Sequence, residues 1–232
     1  MKAYALFGIF VAAIVLFFAL YLIFGRLHYK KKTNGQRYDY LTMFPFEMSE
    51  GESPFMPATR IFLALFQIAT VLGSIYLIYL FPSFNYMIGI VIIYGVSCLL
   101  KAGGSLMMNF APAYAGKPHL LSFVGYLAAF ALSEALAGIC FLNLRGFSSP
   151  LALTFTIISF ILALCGMLFA ANPRMSKWAN LKSTMEQDGS ITTSRPRPFV
   201  LAASEWGLTL LDLLGILTSV IGFFAIAIIS AQ

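Results

Sequence analysis

Ile61 to Leu100 reads IFLALFQIATVLGSIYLIYLFPSFNYMIGIVIIYGVSCLL, 40 residues between Arg60 and Lys101 without one Asp, Glu, Lys or Arg. At about 1.5 Å rise per residue, that is enough chain for two crossings of a hydrocarbon layer about 30 Å thick. Phe81-Pro82-Ser83-Phe84-Asn85 breaks the run near its middle, where proline and small polar residues mark a tight turn. The chain is read as an integral membrane protein.

Working outward, the same pattern recurs. Apolar runs over 3–24, 61–81, 84–100, 120–142, 150–171 and 205–230 predict six spans in a single membrane domain covering 1–232. The period-2 alternation of membrane strands is absent, and helices are the other way to satisfy a backbone in lipid. The expected fold is therefore all-α, a six-transmembrane-helix bundle. Composition agrees: 60% of residues are hydrophobic and 10% charged, against about a quarter charged in soluble proteins. The first run is longer than the apolar core of a signal peptide and has no small-residue cleavage site before Arg26, so it is read as a retained helix.

The loops 25–60, 101–119 and 172–198 contain thirteen of the fifteen Lys and Arg residues, leaving Lys2 and Arg145 on the opposite side. The positive-inside rule then puts these loops in the cytoplasm of a bacterial-type plasma membrane and both termini outside. The net charge of +6 is read as orientation and contact with anionic lipid, not as a nucleic-acid surface. Two cytoplasmic segments stand out. Residues 38–58 mix aromatics with Glu47, Glu50 and Glu52 and three prolines, as expected of a stretch that rests its rings in the headgroup region or covers the inner mouth of the bundle, or else of a solvated loop. Residues 102–116 are uncharged and apolar, as in an interfacial or re-entrant stretch.

Candidate site residues are the polar ones that the spans retain. Glu205, Thr209, Asp212, Gly215, Ser219 and Gly222 follow at intervals of 4, 3, 3, 4 and 3, one polar or small face of the last helix. Intramembrane acids mark functional sites by default, and a packing seam is the competing reading. Glu134 is expected to face protein, protonated or hydrogen-bonded, with no counter-charge at its depth. Beside it Gly125, Ala129, Ser133 and Ala137 form an i, i+4 stripe suited to close helix packing. Lys101, at the end of the short third span, either snorkels or pairs with Asp212 or Glu205.

Several chemistries find no support in the sequence. Cys98, Cys140 and Cys165 have no metal or redox spacing, and His28 and His119 are placed outside the spans. No phosphate-binding loop or nucleophile motif occurs, so no enzyme activity, cofactor or metal is expected. The preferred reading is an accessory or interaction component of a membrane complex, with a protein partner or a second copy of the chain. The alternative is a small-solute or proton-linked transporter using Asp212, Glu205 and Glu134.

Overall fold

In the computed structural model, which describes residues 2–80, 88–110, 117–145, 149–170, 182–185 and 191–230, six α-helices account for most of the chain. They are α1 (Lys2–Lys32), α2 (Met56–Leu80), α3 (Ile88–Phe110), α4 (Lys117–Arg145), α5 (Pro150–Ala170) and α6 (Val200–Ser230). All six are long and apolar enough to cross a membrane, so the six-helix membrane bundle expected from the sequence is the fold. The fifth loop adds a short antiparallel ribbon, β1 (Lys182–Met185) with β2 (Ile191–Ser194), which its polar composition does not announce.

Helix ends depart from the apolar runs in instructive ways. α1 continues past Phe24 to Lys32, because an apolar run ends where burial in lipid ends, not where the backbone stops bonding to itself. Lys30, Lys31 and Lys32 occupy its last turn, where cations suit the negative end of a helix. The stop is local: Asn34 takes a positive φ of 54°, and the Gly35 amide bonds back to the Lys30 carbonyl at 2.8 Å. α3 likewise runs to Phe110 instead of ending near Leu100. Residues 102–110 are thus a continuation of the third helix and not a re-entrant segment; 111–116 lie outside the described residues, as does the turn at Phe81–Asn85. Lys101 consequently leaves the count of loop cations, though the basic asymmetry keeps its sense.

The first loop covers one end of the bundle. A single 3-10 turn, Pro45–Met48, is buried, and Met48 fits against Gly25, where any side chain would collide with it. Lys32 Nζ donates to the Glu47 and Glu50 carbonyls, each at 2.8 Å, and Ser49 Oγ donates to the Asn109 carbonyl at 3.0 Å. The Phe199 amide donates to the Leu41 carbonyl at 2.8 Å. Of the readings of 38–58, the cover is the one observed. The ends of α1 and α3 and the start of α6 therefore meet at a common end of the bundle.

A buried ion cluster as candidate functional site

The polar face of α6 points inward along its length. Glu205, Thr209, Asp212, Gly215, Ser219 and Gly222 are all buried, whereas Leu210 and Leu214 are exposed. Spacings that alternate between 3 and 4 average close to the helical repeat and so hold one face. A strict i+4 stripe drifts by about 40° per step. This is why Ala129, Ser133 and Ala137 are buried while Gly125 is exposed and a Cβ there would meet nothing. The expected packing seam on α4 therefore excludes Gly125.

Asp212 meets Lys101, whose Nζ is 2.7 Å from Asp212 Oδ1. The contact is an ion pair and not an aligned hydrogen bond. Asp212 Oδ2 accepts a hydrogen bond from the Tyr126 hydroxyl at 2.8 Å. Lys101 neither snorkels nor ends its helix: it is 3% exposed, with nine more residues of α3 beyond it. At about 1.5 Å per residue those residues set it about 14 Å inside the helix end, too deep for its stem to reach water.

Glu134 corrects a second expectation. Its Oε1 lies 4.0 Å from the Lys101 ammonium, so a counter-charge does exist at its depth. The sequence placed Lys101 at a bilayer boundary; extension of α3 brings it to the level of Glu134. Oε2 of Glu134 has no hydrogen-bond partner. Gly215 makes the room, since a Cβ built there would collide with Glu134 Oε1. On α6, then, Gly215 is the recess for a carboxylate, whereas Gly222 accommodates the rings of Phe141 and Phe155.

Glu205 does not join this cluster. Its Oε1 is 2.9 Å from His119 Nε2, and its Oε2 has no hydrogen-bond partner. Both histidines lie within helices, contrary to their expected place outside the spans: His119 near the start of α4, and His28 in α1, bonded to Ser53 Oγ at 2.6 Å and the Glu50 carbonyl at 2.8 Å. Thr209 bonds its own helix at the Glu205 carbonyl. Ser219 faces the Tyr94 hydroxyl.

A surrounding polar network was not legible in the sequence. The Tyr126 hydroxyl also faces Ser105 and Thr209. Gln67 Nε2 donates to Ser105 Oγ at 2.9 Å, Asn109 Nδ2 donates to the Ser105 carbonyl at 2.9 Å, and Tyr21 donates to Asn109 Oδ1 at 3.1 Å. These contacts extend the network to α1 and α2. One signal was available: His119, Ser122, Tyr126 and Ser133 recur at 3, 4 and 7, a second polar face on α4.

In charge terms, one ammonium sits against two buried carboxylates. With all three ionised the centre holds one uncompensated negative charge, which a low-dielectric interior does not tolerate. One proton or one small cation closes the balance. Comparison with protein-family models, characterised proteins and solved structures gave no match.

Proposed function

We propose that this chain is a proton-linked carrier of the plasma membrane, moving protons or a small solute, with Lys101, Glu134, Asp212 and Tyr126 as its working centre. The observation that supports the reading is the one-to-two ratio of ammonium to carboxylate in a closed interior, with Glu134 Oε2 lacking a partner. A proton on Glu134 neutralises the centre and leaves the ammonium on Asp212. Loss of that proton makes Glu134 a second counter-ion and draws Lys101 toward α4. Proton binding thereby changes the attraction among α3, α4 and α6, the kind of differential interaction that a two-state carrier requires. Tyr126 holds Asp212 in place throughout. No covalent chemistry is invoked, so the reading is not that of an enzyme. The basic loops and the covered end of the bundle face the cytoplasm in this proposal, next to anionic lipid.

The test is proton uptake by liposomes containing the purified protein, under a pH gradient and under an imposed membrane potential. Wild type takes up protons faster than empty liposomes, and Glu134→Gln and Asp212→Asn abolish the difference. Equal rates in wild type, Glu134→Gln and empty liposomes under both driving forces refute the reading.

A second reading, an accessory component of a membrane complex, is favoured by a different observation. α3 and α4 leave an apolar groove of about 930 Å³ on the exposed side of the bundle, lined by Leu99, Leu100, Met107, Leu121, Gly103 and Gly125 among others. Gly103 and Gly125 have nothing within 4 Å of where a Cβ would stand, so a partner helix could approach closely there. Co-purification of one stoichiometric membrane protein with wild type, lost on Gly103→Leu, is the outcome that prefers this reading.

A further inference from the structure

We infer that His119 and Glu205 form a second proton-exchange site, resting on the proton-linked reading of the centre, and that Phe44 and Phe46 are its removable roof. The pair sits at the covered end of the bundle, two helical turns along α6 from Asp212 and so about 10 Å away along the axis. Glu205 is fully buried and His119 is 3% exposed. Oε1 is engaged by His119 Nε2, while Oε2 is buried without a hydrogen-bond partner. A carboxylate so placed can accept a proton on Oε2 and keep its bond to the imidazole through Oε1. Imidazole is the side chain that exchanges protons nearest neutrality, so the two groups together form an acid–base pair.

Other groups face the pair from the elements packed against it. Tyr21 of α1 and Glu47 of the first loop both interact with Glu205 electrostatically. Glu47 is itself paired with Arg195, whose Nη1 lies 2.8 Å from Glu47 Oε2. Among the described residues, the carboxylate of Glu205 thus has near it the Glu47 carboxylate, already paired with Arg195, and the Tyr21 phenol.

The roof is aromatic. Phe44 and Phe46 stand edge-on to His119, with ring centroids 6.0 and 5.4 Å away, and Phe44 packs against Phe199 at 5.4 Å. Two apolar rings against the imidazole of a buried pair exclude water. Beside the bonds that Lys32, Tyr38 and Ser49 give the first loop, one fastening lies at the surface: Arg195 bonds the Thr42 carbonyl at 3.1 Å as well as Glu47, and its guanidinium lies 5.4 Å from the Phe44 ring centre. Partly exposed ion pairs contribute little, typically under about 1 kcal/mol. The first loop is short and packs as one segment on the helix ends, so it can open locally while the helices beneath it stay folded, and loss of the surface fastening makes that opening easier.

Infrared pH-difference spectroscopy on the full chain in detergent, followed by transfer to D2O, tests the site and its roof together. A carboxyl band that titrates is expected, lost in Glu205→Gln, shifted in His119→Gln and kept in Glu134→Gln. In Phe46→Ala and in the surface variant Arg195→Gln, deuterium should reach that band about tenfold faster, corresponding to local opening that is easier by about 1.4 kcal/mol. Absence of any titrating band assigned to Glu205 overturns the site, and exchange at the wild-type rate in both variants overturns the roof. Proton flux is not part of this readout, so a silent liposome assay with a titrating Glu205 would refute the carrier reading and leave the site standing.

Discussion

Removing both counter-ions of Lys101 should destabilise the protein by more than the two single changes together. Asp212→Asn keeps an acceptor for Tyr126 but removes the charge 2.7 Å from the ammonium. Glu134, at 4.0 Å, then ionises and takes over. At an effective dielectric constant of about 20, unit charges at these two distances attract by about 6 and about 4 kcal/mol, so the single change loses about 2 kcal/mol. Glu134→Gln imitates the protonated acid and should change stability by less than about 1 kcal/mol. The double variant leaves a buried ammonium without any counter-charge, for which about 5 kcal/mol is the expected loss. The excess over additivity is therefore about 2 kcal/mol, within the range measured for residues sharing a network. For a chain of this length it appears as about 4 to 8 °C in a thermal unfolding cycle of the four proteins in one detergent. Additivity within about 0.5 kcal/mol would show that Lys101 does not depend on these two acids, and the cluster could not then be the centre of anything.

Three further outcomes are expected. Gly215→Ala forces a methyl group against Glu134 and should destabilise by about 1 to 3 kcal/mol, with most of the loss recovered in Gly215→Ala/Glu134→Ala; an unrecovered loss would mean that Gly215 serves the backbone and not the carboxylate. A cysteine at position 31 in whole cells should resist an impermeant thiol reagent added outside, and labelling there would invert the proposed orientation. Tyr38 lies outside the spans and donates to the Met43 and Phe44 carbonyls. Burial chiefly holds its phenol proton on well above the ordinary range. A group whose folded pKa is raised contributes stability below its unfolded pKa and loses it as pH climbs above about 10, so wild type should lose stability in that window more steeply than Tyr38→Phe.

Much of the site was visible before the fold. The acids of α6 could be assigned to one inward face because a helical period is a local property, and Asp212 with Lys101 was one of the pairs their chemistry allowed. Glu134 was recognised as an acid that must face protein, but its counter-ion was not. That failure traces to one helix end: a charged residue, Lys101, ends the apolar run, whereas Ala102 to Phe110, uncharged and including Leu106, Met107, Met108 and Phe110, continue the helix. Gln67, Ser105, Asn109 and Tyr21 went unnoticed because none carries a charge: Gln67 and Tyr21 lie inside apolar runs, and Ser105 and Asn109 lie beyond the expected end of the third span. They become a network only where α1, α2 and α3 come together.

By itself the sequence determines that this is a membrane protein of six helices, how its charge is distributed between the two ends and which face of α6 turns inward. Those properties follow from transfer free energies and local periodicity, which need no knowledge of neighbours. Tertiary structure alone decides that Lys101 stands between Asp212 and Glu134, that Gly215 is a recess for a carboxylate, that His119 rather than Lys101 takes Glu205, and that the first loop closes over that pair. Each of these joins residues about 30 to 160 positions apart through helix docking, and in a membrane docking is set by side-chain shape and buried polar contacts rather than by hydrophobicity, which every helix here shares.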